Sequence, residues 1–103
     1  MPLRLLLLPL LLFASMAVAQ RSITISGYVK DATSGEALIG ANVYVKETMR
    51  GAATNVYGYY VLNLEPGTWT LVMSYIGYEE WTRTATVNAD QKLNIEAQPK
   101  AII

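Results

Sequence analysis

The sequence contains no cysteine and no histidine. Without cysteine there is no disulfide, thiolate metal site, thiol nucleophile or cysteine-linked lipid anchor. Without histidine, the usual general base near neutral pH and the commonest metal ligand are both missing. Neither sign of charge is in excess: 8 Lys plus Arg balance 8 Asp plus Glu. That balance gives no electrostatic footprint for nucleic acid or for an anionic membrane surface. No segment sustains helical apolar spacing, and the one long hydrophobic run is confined to the N-terminus. Serine and threonine are plentiful, but without a histidine or a well-placed lysine as base none is a credible nucleophile. No catalytic residue, no metal ligand and no cofactor is therefore assigned, and an enzyme is not expected.

The N-terminal run reads as a secretory signal peptide over residues 1–19. Arg4 supplies the positive start, Leu5–Phe13 the apolar stretch, and Ala17-Val18-Ala19 the small-x-small cleavage pattern. The stretch is short for a spanning helix. Cleavage after Ala19 leaves one small domain beginning at Gln20. Export without disulfides fits the periplasm or the outer membrane of a Gram-negative cell.

Beyond the leader, the chain is organised by alternation and punctuation. The stretch Gly58–Tyr78 holds two apolar runs, Tyr59–Leu64 and Trp69–Ile76, around Glu65-Pro66-Gly67-Thr68. Pro66 presets the first central angle of a turn and Gly67 tolerates the second, so this pattern predicts a β-hairpin. Ile23–Lys30 alternates, with Gly27 marking a bulge or a close approach. Asp31–Glu36 is a polar loop containing Gly35, and Gly40 lets the chain bend into the strand Ala41–Lys46. Ala52–Thr54 reads as a short strand, and Asn55–Gly58 as a turn. Glu80–Val87 turns Trp81, Ala85 and Val87 to one side, and Lys92–Ala97 is the last strand before Pro99. Leu62, Leu71 and Val43 are expected in the core. About seven short strands between turn signals indicate an all-β, seven-stranded antiparallel Greek-key β-sandwich. A small barrel shares that signature.

Four ordered motifs carry a resemblance. They are Ile25–Val29 (ISGYV), Gly35–Val45 (GEALIGANVYV), Gly51–Tyr60 (GAATNVYGYY) and Tyr75–Tyr78 (YIGY). In that order they resemble the carboxypeptidase regulatory-like domain, a transthyretin-like sandwich. The version they resemble most stands at the N-terminus of starch-utilisation-type TonB-dependent outer-membrane receptors. The resemblance implies a domain over residues 20–98, with residues 99–103 a C-terminal tail or the start of a linker. It also implies a non-catalytic periplasmic accessory role in nutrient uptake. The implied partners are envelope proteins, either a transporter plug and barrel or an associated lipoprotein. The plug and barrel are not within these 103 residues, so a receptor fragment or a free-standing domain is expected. The alternative is a stand-alone or peptidase-associated binding module, with carbohydrate as its ligand. The family often has Asp where Asn55 stands, which weakens a cation site there.

The motif residues Gly27, Gly35, Gly40, Gly58, Tyr60, Gly67, Tyr75, Gly77 and Tyr78 are expected to serve backbone geometry and packing. Tyr57, Trp69 and Trp81 are the candidates for ligand or partner contact, with Tyr59, Tyr75 and Tyr78 completing a sugar-stacking platform. Aromatics at strand positions are more often core or cross-strand pairs. Asp31 with Glu36 falls short of the six to eight oxygens that Ca²⁺ takes. Glu79 and Glu80, as strand neighbours, would face opposite sides and could not act as an acid–base pair.

Overall fold

The computed structural model describes residues 21–101; the leader over residues 1–19 lies outside them. Eight strands and no helix are present among the described residues. They are β1 (Ile23–Asp31), β2 (Asn42–Val45), β3 (Gly51–Ala53), β4 (Tyr59–Leu64), β5 (Gly67–Ser74), β6 (Trp81–Val87), β7 (Gln91–Lys92) and β8 (Ile95–Ala97). One sheet has β1 at its centre, with β4 on one side and β7 followed by β8 on the other. The second sheet runs β3-β2-β5-β6. The chain leaves β3, forms β4 in the opposite sheet and returns as β5 beside β2, which is the Greek-key crossing.

Alternation decides which face each strand buries. Ile23, Ile25 and Val29 of β1 point inward, as do Tyr60, Leu62 and Leu64 of β4. They meet Val43, Val45, Leu71, Met73 and Val87 from the second sheet. The three residues expected in the core, Val43, Leu62 and Leu71, are all buried. Two inner faces packed in this way form the core of a sandwich.

The predicted hairpin at Pro66-Gly67 does not form. β4 pairs antiparallel with β1, Leu64 opposite Ile23, whereas β5 pairs with β2 and β6. Residues 65–66 carry the chain from one sheet to the other. Gly67 already belongs to β5, opposite Val87. Trp69 Nε1 donates to the Glu65 carbonyl at 2.8 Å and closes this corner. Both apolar runs bury one face, and in a sandwich those faces look at each other rather than lying side by side. A turn signal fixes a reversal of direction but not the hydrogen-bonding partner.

The last strand differs from its sequence reading in two ways. It is broken into β7 and β8 at Leu93-Asn94, and both pieces run parallel to β1. One sheet is therefore mixed rather than wholly antiparallel. Counted as one interrupted strand, β7 and β8 bring the total to the expected seven. The break sits over Gly27, where an added Cβ would run into the Leu93 carbonyl, with the carbonyl carbon at 2.6 Å. Gly27 is thus a site of close approach. Three bonds hold the interruption: Leu93 N donates to Ser26 O at 2.8 Å, Tyr28 N to Asn94 Oδ1 at 2.9 Å, and Tyr60 OH to Leu93 O at 2.6 Å. Burial, the main cause, pushes the Tyr60 phenol up to about 12, so it stays a neutral donor.

Two substitutions test this junction. Tyr60→Phe removes one hydrogen bond and should lower stability by about 1 kcal/mol. Gly27→Ala must displace the Leu93 backbone and should cost about 1–3 kcal/mol, the usual range for overpacking. Urea midpoints report both, and a Gly27→Ala midpoint equal to wild type would show that Leu93 does not sit against β1.

Candidate functional site

The motif glycines and tyrosines sit where the chain bends or closes on itself. Gly35, Gly40, Gly58 and Gly77 all have positive φ. At Gly77, φ is +86° and an added Cβ would meet nothing within 4 Å. The requirement there is backbone conformation alone, since L-residues with a Cβ are strained in the left-handed region. The turn it makes is closed by Tyr78 N donating to Tyr75 O at 3.1 Å, and the rings of Tyr75 and Tyr78 lie 5.7 Å apart. On this turn the C-terminal tail is docked. Glu79 N donates to Gln98 O at 2.8 Å and Lys100 N to Gly77 O at 2.9 Å, with Tyr78 paired to Pro99. Residues 99–100 are therefore held against the domain. Glu79 and Glu80 lie in the connection before β6 rather than within a strand, and both are exposed.

Asp31 ends β1, and four donors converge on its carboxylate. Oδ1 accepts from Thr33 Oγ1 at 2.6 Å, Thr33 N at 2.7 Å and Ser34 N at 3.0 Å. Oδ2 accepts from Tyr78 OH at 2.7 Å. These bonds, the Thr33 hydroxyl first, hold the Asp31 carboxyl well below the usual carboxylate range. The same contact with Asp31 pushes the Tyr78 phenol up to about 12. Both carboxylate oxygens are thus engaged by the fold. No three His, Cys, Asp or Glu side chains come together as a metal site among the described residues.

The Asn55–Gly58 turn is built the same way. Asn55 Oδ1 accepts from Tyr57 N at 2.9 Å and Tyr59 N at 3.0 Å, and Gly58 N donates to Asn55 O at 2.9 Å. Just before it, the buried Thr54 hydroxyl donates to Leu38 O at 2.6 Å and accepts from Ala41 N at 2.9 Å. Thr54 lies just past the end of β3, where its hydroxyl anchors the loop while its backbone still bonds to Gly40 and Ala41.

The three candidate contact residues are not brought together. Trp69 and Trp81 lie on neighbouring strands, but Trp69 is opposite Ala85 and Trp81 opposite Met73. That places them four positions apart along the ladder, about 13 Å at the rise of a strand. Both are partly buried against the core, and the Trp81 ring has the Arg83 guanidinium 5.4 Å from its centre. Tyr57 is separate from both: it is 70% exposed at the tip of its turn. Its neighbours are Tyr59 and Tyr28, directly paired across β4 and β1, with ring centres 5.0 Å apart. Lys30 Nζ lies 5.5 Å from the Tyr28 ring centre. Asn55, Lys92 and Asn94 complete a cleft around these rings. Tyr28 was not among the sequence candidates. Its outward position in β1 was readable, but its pairing with Tyr59 required the strand register.

Two measurements test the Asp31–Tyr78–Gly77 region. Gly77→Ala should cost about 1–2 kcal/mol of left-handed strain and lower the urea midpoint accordingly; an unchanged or raised midpoint would contradict a positive φ. The folded-state pKa of Asp31 is depressed, so its contribution is fully present above the unfolded value of about 3.9. It is lost as pH falls below that value toward the folded one. The wild-type urea midpoint should decline between about pH 5 and pH 2, and Asp31→Asn should decline less steeply. Equal slopes would mean that Asp31 is not held by these bonds.

Comparison with known proteins gives the same architecture a family. The family model described as "CarboxypepD_reg-like domain" matches residues 25–103. TonB-dependent receptor SusC of Bacteroides thetaiotaomicron is 37% identical over 92 residues, 89% of this chain and 8% of the receptor. The chain thus spans under a tenth of that relative's length. Among solved structures, a type II cohesin–X-dockerin complex of Acetivibrio cellulolyticus, mutated at its N-terminal interface, is similar at 26% identity and a TM-score of 0.66. That match covers 75% of this chain and 58% of the other. A DUF3823 family protein from Bacteroides ovatus aligns at 21% identity and a TM-score of 0.61, over 77% of this chain and 44% of its own. Catechol 1,2-dioxygenase of Acinetobacter radioresistens aligns at 14% identity and a TM-score of 0.63, over 81% of this chain and 53% of its own. These last two likenesses concern the fold alone. With the four motifs in order, a two-sheet sandwich and a family model spanning most of its length, the chain belongs to the carboxypeptidase regulatory-like domain family.

Proposed function

We propose that this chain is a non-catalytic accessory domain of a TonB-dependent outer-membrane receptor, exported to the periplasm and acting through protein contacts. The observation that carries this reading is the shape of the SusC match: it takes in 89% of this chain and 8% of the receptor. A module joined to a much larger transporter would give a match so proportioned, and this supports the reading. The local chemistry supports the non-catalytic part. The most heavily bonded carboxylate, Asp31, is engaged by Thr33, Ser34 and Tyr78. Glu47 accepts from both the backbone and the hydroxyl of Thr70. Polar groups committed to the fold in this way are not free to move protons on a substrate. The leader over residues 1–19 supplies the route of export, residues 20–98 form the working domain, and residues 99–103 lead toward whatever the domain is joined to.

The stand-alone binding module is the second reading, favoured by the exposed Tyr57 ring beside the Tyr28–Tyr59 pair. Cell fractionation with N-terminal sequencing and cross-linking in the native host separates the two. The receptor reading expects an envelope-associated product beginning at Gln20 and cross-linked to a receptor plug, a barrel or an associated lipoprotein. An intact Met1 in the cytosol, or cross-links only to a peptidase, would overturn it.

A further inference from the structure

We infer that the cleft between the Asn55–Gly58 turn and the β7–β8 break binds an acidic oligosaccharide, a short run of sugar rings carrying carboxylates. The cleft encloses about 440 Å³, within the range of small-ligand sites and enough for a few sugar rings. Its size is not distinctive, since the cleft beside Trp69 is comparable. Its composition is: three phenol rings, two side-chain amides and one ammonium, from Tyr28, Tyr57, Tyr59, Asn55, Asn94 and Lys92. No aliphatic side chain and no carboxylate lines it.

Each part of this lining has a match in sugar chemistry. A pyranose presents a face of C–H bonds and a rim of hydroxyls. The exposed Tyr57 ring offers a flat apolar surface of the right extent for that face. The Tyr57 backbone is held in place, because its own amide and that of Tyr59 donate to Asn55 Oδ1. The oxygen ends of the two amides are spent on the fold, Asn55 on the turn and Asn94 on Tyr28 N. Their NH₂ groups are donors, suited to sugar oxygens. Lys92 is the one charged side chain of the lining; Lys30, 5.5 Å from the Tyr28 ring centre, stands in the adjoining cleft with Asp31 and Glu96, the latter paired with it across the strands. With the Lys92 ammonium and no carboxylate in the lining itself, the favoured ligand carries negative charge at the Lys92 end. This site deepens the binding-module reading, whose aromatic cluster it shares, and holds equally for a domain joined to a receptor.

The test is a titration of the exported, nitrogen-15-labelled chain followed by amide NMR, with trigalacturonate as the probe. Maltotriose and an acidic tripeptide, Glu-Glu-Glu, serve as comparisons at about 10 mM, above millimolar affinity. Trigalacturonate should shift the amides of Tyr28, Tyr57 and Asn94. Tyr57→Ala, at an exposed position that leaves the core intact, should weaken this at least about tenfold. Lys92→Gln should weaken it less and reduce its dependence on salt. Ile76→Ala, 90% exposed on another turn, should change nothing. The inference is overturned if none of these amides moves, if maltotriose binds as tightly as trigalacturonate, or if the tripeptide shifts the same amides more strongly than the sugar. A failure here would leave the receptor assignment standing, because that rests on cross-linking and processing.

Discussion

The contact between β1 and the broken C-terminal strand is the constraint on which the first sheet depends. β1 is the central strand, and its second neighbour is a strand that cannot run straight past Gly27. The Leu93 carbonyl presses against the glycine, and the strand resumes only after Asn94. A gap in a central ladder leaves backbone groups to be satisfied, and burial makes that obligatory. The fold meets the need with side chains from two directions. Asn94 Oδ1 takes the Tyr28 amide, and the Tyr60 phenol, reaching across from β4, takes the Leu93 carbonyl. Glycine, tyrosine and asparagine therefore act together: a Cβ at position 27 would push the strand away, and without the phenol the displaced carbonyl would lose its partner.

The sequence made the faces legible and left the partners illegible. Alternation in β1, β4 and β5 marks buried positions because the side-chain period of a strand is two, whatever strand lies next to it. Hence Val43, Leu62 and Leu71 were placed correctly, as was the Trp81–Ala85–Val87 side of β6. Pairing depends on where the chain goes between strands. At Pro66-Gly67 it crosses the sandwich, and nothing in the residue types distinguishes that corner from a hairpin. The parallel run of β7 and β8 against β1 was hidden for the same reason. Glycine was more readable. The β-branched Ile76 resists positive φ, so the angle required by the Tyr75–Tyr78 turn falls on Gly77, at +86°.

The candidate cleft shows the same division. Tyr57 was visible as an aromatic in a turn, and a turn places its residues at the surface. Trp69 and Trp81 looked equivalent to it in the sequence, yet the fold spends both on closing the sandwich, one at a corner with Glu65 and one beneath Arg83. The partners that make a cleft around Tyr57 come from β1, β4 and the β7–β8 break. They converge only because the β1–β4 register sets Tyr28 against Tyr59 and the strand break turns Asn94 toward Tyr28. The irregularity that Gly27 permits in the sheet is thus also what places Asn94 at the cleft.

The two ends of the described chain sit at opposite ends of the sandwich. Arg21, just before β1, bonds to the Asn88 carbonyl and lines the cleft beside Trp69, near the start of β5. Lys100 is held by Gly77, beyond the other end of β5. Between these points β1 and β8 are direct parallel neighbours, Val29 through Asp31 against Ile95 through Ala97. A pull applied between the two ends would run along these strands. It would slide one past the other and load their cross-links together, rather than opening them one at a time. Before that ladder can slip, the tail must leave the Gly77–Glu79 turn, and that turn is tied through Tyr78 to Asp31, the last residue of β1. The Tyr75–Tyr78 motif therefore does more than reverse the chain after β5. It fastens residues 98–100 to the last residue of β1, so that both ends of the described chain bear on β1.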